Sequence, residues 1–174
     1  MLAAMLTLMA CGDAGFEYSS FHPNFTFHND THQNMALATA MDAMSTGVFC
    51  KISCQQRGGA YYFVCQNNRD LTSPPDVFNA GDLQLGSQNR LGMNNGLIVG
   101  YSAYGEGFMA YDAQCPDCFD YNALPVKSYP LEISFTGTAT CNRCHRTFDM
   151  NTRGCGLTAY RASTSGAFGI LHVY

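Results

Sequence analysis

The amino-acid sequence predicts a mostly β fold, and three observations carry that expectation. From residue 48 onward, short apolar and β-branched stretches alternate with Gly, Asn, Asp and Pro, the punctuation of strands and turns. No internal repeat and no long stretch of helical period interrupts them. Two Cys-x-x-Cys turns, Cys115-Pro-Asp-Cys118 and Cys141-Asn-Arg-Cys144, each follow a strand-like stretch.

Taken in order, residues 1–10 are almost wholly apolar and run into Leu8-Met9-Ala10-Cys11-Gly12, which resembles a bacterial lipobox. Too short to span a bilayer, residues 1–10 are expected to be a lipoprotein signal remnant, with Cys11 the lipidated first residue of the mature chain. The expected location is therefore extracytoplasmic, lipid-anchored to a bacterial membrane on its periplasmic or outer-membrane face. Residues 11–46 read as a tether, because residues 12–34 are polar and aromatic without a sustained period. His22, His28 and His32 fall there with irregular spacing, which argues against a preorganised metal site. The Ala- and Met-rich residues 34–44 predict one short helix before Gly47.

Residues 48–53 and 60–65 predict a β-hairpin in which Cys50 lies nearly opposite Cys65, within reach of a cross-strand disulfide. Residues 96–101 and 108–111 form a second hairpin around Gly105-Glu106-Gly107, delivering Cys115 just past its end. Residues 131–135 and 139–140 form a third, turning at Gly137 and delivering Cys141. Residues 120–130, with Pro125 and Pro130, read as a loop between the two cysteine turns. Residues 169–174 close the chain as a strand, preceded by a turn at 164–167.

The chain has 174 residues, 47% of them hydrophobic, with twelve Phe and ten Tyr, so a single domain with a real core is expected. Nine Lys plus Arg against thirteen Asp plus Glu leave a net charge of -4, without the basic face a nucleic-acid partner requires. Contact with a membrane is expected only through the anchor. No Gly-x-Ser-x-Gly elbow, His-Glu-x-x-His helix or phosphate loop is present, which leaves hydrolase and nucleotide-binding readings without a foothold. A thioredoxin-like dithiol at Cys115 and Cys118 lacks the surrounding strand-helix alternation. A non-catalytic role is the stronger expectation.

Four thiolates from two tight turns make a cage for zinc, a single iron or a small iron-sulfur cluster, so Cys115, Cys118, Cys141 and Cys144 are the candidate metal ligands. Among the nine cysteines, Cys54 and Cys155 remain without an assigned partner. Asp112 and Asp149 read as turn-forming residues beside the ligand turns.

The stretch Ala110-Tyr111-Asp112-Ala113-Gln114-Cys115-Pro116, followed by Cys141-Asn142-Arg143-Cys144 and Thr147-Phe148-Asp149, resembles the Rieske iron-sulfur domain. In that family an aromatic-Asp pair precedes a Cys-Pro-His turn, and a Cys-x-x-His turn is followed by an aromatic-Asp step, a Gly turn and Leu-x-x-Tyr. Leu157-Thr158-Ala159-Tyr160 is similar to the last element. The resemblance is strong from Gly96 onward and weaker back to Val48. It implies a Rieske-like antiparallel β sandwich or barrel over residues 47–174, with a zinc-ribbon or rubredoxin-like lobe at about 113–160. The departures fall on the ligands: Cys144 stands where one histidine belongs and Asp117 where the other does, with Cys118 one step beyond.

What the resemblance implies is a 2Fe-2S electron carrier with four cysteine ligands, serving an unidentified redox partner protein. All-cysteine clusters lie near about -400 mV, against roughly -150 to +300 mV for Rieske centres, so a low, proton-independent potential is expected. Thr140 and Tyr160 are the candidates to donate hydrogen bonds toward cluster sulfurs. The competing expectations are a four-cysteine zinc site that staples a structural or binding domain without redox activity, and two metal-free disulfides among the same four cysteines.

Overall fold

The computed structural model describes Tyr18 and residues 21–174, so the signal remnant at residues 1–10 and Cys11 lie outside the described residues. In chain order the elements are β1 (Phe25–His28), α1 (Asn29–His32), α2 (Met35–Met41), β2 (Phe49–Arg57), β3 (Ala60–Asn67), β4 (Asp76–Val77) and α3 (Ala80–Leu85). They continue with β5 (Leu97–Tyr101), β6 (Phe108–Asp112), β7 (Glu132–Ile133), β8 (Thr138–Thr140), β9 (Thr147–Asp149), β10 (Ala159–Tyr160), β11 (Ala162–Thr164) and β12 (Ile170–Val173). The fold is mostly β, and every ladder is antiparallel.

The central sheet has six strands in the order β10-β6-β5-β2-β3-β4 and is covered on both faces. Strand β5 shows how: Leu97 and Val99 point into one core and Ile98 into the other, the two-residue period of a pleated strand. Burial on both faces is why its sequence is continuously apolar rather than alternating. In β6, Ala110 faces the first core while Met109 and Tyr111 face the second.

The first core is closed by α2 and by a three-stranded sheet, β1-β12-β11. Phe25, Phe27, Leu171 and Val173 descend from that sheet onto Ile52, Phe63 and Leu97, a sandwich of two sheets. Helix α2 starts where the Asn34 side chain accepts from the Leu37 N–H at 3.0 Å, and it buries Leu37, Ala40 and Met41. The short helix expected at residues 34–44 is thus present.

Two expectations need correction here. Residues 11–46 are not a tether throughout, because β1 pairs with β12 from Phe25↔Val173 to His28↔Ile170 and buries both phenylalanines completely. Its alternation of Phe with Thr and His is a strand period too brief to stand out in a polar segment. The β2–β3 hairpin also runs further than expected, to a two-residue turn at Gly58 and Gly59, both at positive φ as the twist of a tight hairpin demands. That register sets Cys50 against Asn67 and Cys65 against Ile52, so the two cysteines are diagonal rather than opposite. They are buried, adjacent free thiols, not a disulfide.

The second core lies under a small lobe built on a three-stranded sheet, β7-β8-β9, with Leu131, Ala139, Phe148 and Met150 packed against Phe49, Ile98 and Tyr111. Strand β10 pairs with β6, so Ala159 and Tyr160 belong to the central sheet rather than to the lobe.

Candidate metal centre

Each Cys-x-x-Cys turn is a closed knuckle. In the first, the N–H groups of Cys118 and Phe119 donate to the Cys115 carbonyl at 3.3 and 2.9 Å, and the Cys115 N–H donates to the Tyr129 carbonyl. In the second, the His145 N–H donates to the Cys141 carbonyl at 2.9 Å, and the Cys141 N–H to the Arg146 carbonyl at 3.0 Å. His145 sits at φ +61°, the left-handed turn that lets the chain swing away from Cys144. Strand β6 supplies the first knuckle three residues beyond Asp112, and β8 supplies the second directly after Thr140.

The two knuckles converge. All four sulfurs lie within 4.8 Å of one another, with Cys115 Sγ 3.8 Å from Cys144 Sγ and Cys141 Sγ 3.9 Å from Cys118 Sγ. Cys115 and Cys141 are buried, Cys118 is half-buried and Cys144 is exposed, so the cage sits at the rim of the second core with one edge toward solvent. Four thiolates at this separation can bind a metal. The cluster consists of the four cysteines named from sequence, brought together from two separate turns.

The thiols differ in acidity. Burial, and next the neighbouring Cys141 thiol, pushes Cys115 up to about 12. Burial also raises Cys118, followed by its contact with Cys144. At Cys141 burial acts upward too, but the N–H groups of Cys144 and Arg143 aimed at its sulfur outweigh it and bring the thiol to about 7. Amide dipoles turned toward one sulfur prepare it as a thiolate before a cation arrives.

Side chains brace the knuckles against each other and against the sheet. Arg146 Nη1 donates to Asp117 Oδ2 at 2.7 Å, joining the second knuckle to the first, while its guanidinium lies over the Phe148 ring. Asn142 Nδ2 donates to Glu132 Oε1 at 2.6 Å, and Lys51 Nζ reaches from β2 to the Leu131 carbonyl at 3.1 Å. Burial pulls the Lys51 ammonium below its ordinary value, with Glu132 opposing. Sequence reasoning missed these braces, although an acid inside one turn and an arginine just past the other were a usable signal.

The expected donors to the centre lie elsewhere. The Tyr160 hydroxyl donates to Asp112 Oδ2 at 2.8 Å, and Thr140 Oγ1 meets Thr147 Oγ1 at 3.1 Å across β8 and β9. Neither hydroxyl is directed at a sulfur. Asp112 is instead a structural hub: Oδ1 accepts from the Gln114 N–H, and Oδ2 from the Met93 N–H as well as from Tyr160. Gly92, at φ +63°, has no room for a Cβ, which would collide with Asp112 Oδ2 and the Gly96 carbonyl. Asp149 likewise closes its turn by accepting from the Asn151 N–H at 3.0 Å.

The histidines set aside as ligands stay outside the cage, but His32 is far from incidental. Its Nε2 meets Asp82 Oδ2 at 3.0 Å in a buried pair, and its ring packs on Phe27 and Phe63. Cys155 packs against the second core and Cys54 against the first. Among the described residues no helix is long and apolar enough to cross a membrane. No family model, curated protein or solved structure matches this chain.

Proposed function

We propose that this protein is a β domain whose cysteine lobe holds one tetrahedral metal ion, zinc, and that the ion staples a structural or binding module without redox activity. The observation that carries this reading is the sulfur spacing. A tetrahedral ion with metal-sulfur bonds of about 2.3 Å sets its ligand sulfurs about 3.8 Å apart. A two-iron cluster spreads sulfurs on different irons beyond about 5 Å, because the two irons stand apart along the cluster axis. The four sulfurs here all fall within 4.8 Å, and two of the approaches between knuckles are 3.8 and 3.9 Å. With four protein thiolates the ion has no open position, so its contribution is order in the two knuckles.

A second reading, the 2Fe-2S electron carrier on a Rieske-like scaffold, is supported by the order of parts. An aromatic-Asp strand end leads into the first knuckle, and an aromatic-Asp strand follows the second. The exposed edge at Cys144 would suit electron exit toward a partner protein.

Metal and acid-labile sulfide analysis of anaerobically purified protein separates the readings. The expected result is about one zinc per chain, no sulfide and no visible absorption. Two irons with labile sulfide would replace this reading with the electron carrier, and one iron without sulfide would keep the geometry but assign it a redox role. Lipidation at Cys11 is a separate proposal, tested by the mass of the N-terminal peptide.

A further inference from the structure

The sulfurs of the cage touch across the gap between the knuckles. Cys115 Sγ lies 3.8 Å from Cys144 Sγ, and Cys118 Sγ lies 3.9 Å from Cys141 Sγ, two contacts that use each of the four sulfurs once. To become a disulfide, each pair has only to close to about 2.0 Å.

Exposure ranks the four thiols for attack. Cys144 is exposed, Cys118 half-buried, and Cys115 and Cys141 buried. Residues 142–147 are exposed throughout, so the approach to Cys144 is open. An oxidant in solution therefore meets Cys144 first, and Cys115, in contact with it, is placed to resolve the product. The other thiol pair of the molecule, Cys50 and Cys65, has no such access, because both are buried.

The two knuckles are also clamped by protein atoms alone. Arg146 Nη1 donates to Asp117 Oδ2 at 2.7 Å from one knuckle to the other, and backbone bonds close each turn on itself. That clamp holds sulfurs of opposite knuckles together while the first bond forms.

We infer that the cysteine lobe is an oxidation site for hydroperoxides, at which the metal cage is exchanged for two disulfides between the knuckles, Cys115–Cys144 and Cys118–Cys141. This deepens the zinc reading and rests on it only for the ion that leaves. In the first step the Cys144 sulfur attacks a peroxide oxygen and the O–O bond breaks, leaving a sulfenic acid on Cys144 and releasing water from hydrogen peroxide or an alcohol from an organic hydroperoxide. Next the Cys115 sulfur attacks the Cys144 sulfur, the S–S bond forms, and the sulfenic oxygen leaves as water with the thiol proton. Two thiols have lost two electrons and one hydroperoxide has gained them. A second hydroperoxide oxidises Cys118 and Cys141 in the same way. The thiolate ligands are consumed and the ion departs, while a covalent staple takes over the joining of the knuckles.

The test treats the reduced full chain with two equivalents of hydrogen peroxide, follows released zinc with a colorimetric chelator, and maps the product by mass spectrometry after digestion without reduction. Peptides joined through Cys115–Cys144 and Cys118–Cys141 are expected, with about one zinc released per chain. In hydrogen exchange, the oxidised metal-free protein should keep the protection of β7–β9 that the reduced metal-free protein loses. Cys144→Ser should leave Cys115 open to alkylation after peroxide. Disulfides closed within each knuckle, or four thiols still free, would overturn the inference. Linkage of Cys115 to Cys141 would overturn the assigned pairs, and lobe exchange as fast as in the reduced metal-free protein would overturn the staple. A chain that purifies without zinc counts against the zinc reading alone, because the peptide map is made equally on metal-free reduced protein and needs no variant.

Discussion

Tyr160 lies in the first core and reaches the approach to the first knuckle only through Asp112. Its hydroxyl is buried and committed to Asp112, which in turn holds the Met93 and Gln114 backbone where the chain approaches the first knuckle. Burial raises the Asp112 carboxyl, and the three donors around it pull the other way. Tyr160→Phe removes one of those donors, and the expected cost is about 1–2 kcal/mol of stability, read from the shift of a urea midpoint. Because the hydroxyl faces a carboxylate and not a sulfur, the spectrum of a cobalt-substituted centre should stay the same. A changed spectrum would restore Tyr160 as a donor to the ligand sphere. Gly92→Ala is expected to be more damaging, since its Cβ would displace the Asp112 carboxylate from a backbone already at positive φ.

At the scale of the element, the lobe is the part of the molecule whose order would depend most on a metal held by the four cysteines. Strands β7, β8 and β9 are two or three residues long and carry few ladder bonds of their own, while β2 and β3 pair over eight positions. Metal removal by a chelator should therefore raise amide hydrogen exchange in the knuckles and β7–β9 while β2, β3 and β5 keep their protection. Cys144→Ser should reproduce that pattern, because it removes one ligand at an exposed position and leaves the core intact.

Acid should have the same effect for a traceable reason. Cys115, held up to about 12, and Cys118, also raised, keep their protons at neutral pH in the free protein, whereas Cys141, near 7, is already partly ionised. Binding then expels protons, so affinity rises with pH and falls as protons compete below neutrality. Calorimetry in buffers of different ionisation enthalpy measures the protons released, and a pH-independent affinity would contradict the thiolate cage.

For the whole molecule, the decisive feature is that the chain closes on itself: β1, near the start of the described residues, pairs with β12 at the end. Phe27 is fully buried against Phe63 and His32 at the point where this closure meets the central sheet. Phe27→Ala should cost about 3–5 kcal/mol, a large part of the roughly 5–15 kcal/mol typical of a domain, and show as a drop in melting temperature of the whole protein. A small, local effect would mean that β1 is an accessory strand rather than part of the sandwich.

Features written in short range were legible in the chain before any fold was known. Hairpin turns, the Asn34-capped helix and the two cysteine knuckles depend on neighbours within a few residues, and strands buried on both faces declare themselves by continuous apolar runs such as that of β5. Assembly of the sheets settled everything that depends on distant pairing. Phe25 finds Val173, His32 finds Asp82, and Arg146 finds Asp117 only once those sheets are in place. The same holds for the cage, whose four ligands are plain in the sequence. Their convergence within 4.8 Å arises because β6 and β8 bring separate turns to one edge of the second core, and residue spacing carries no information about that approach.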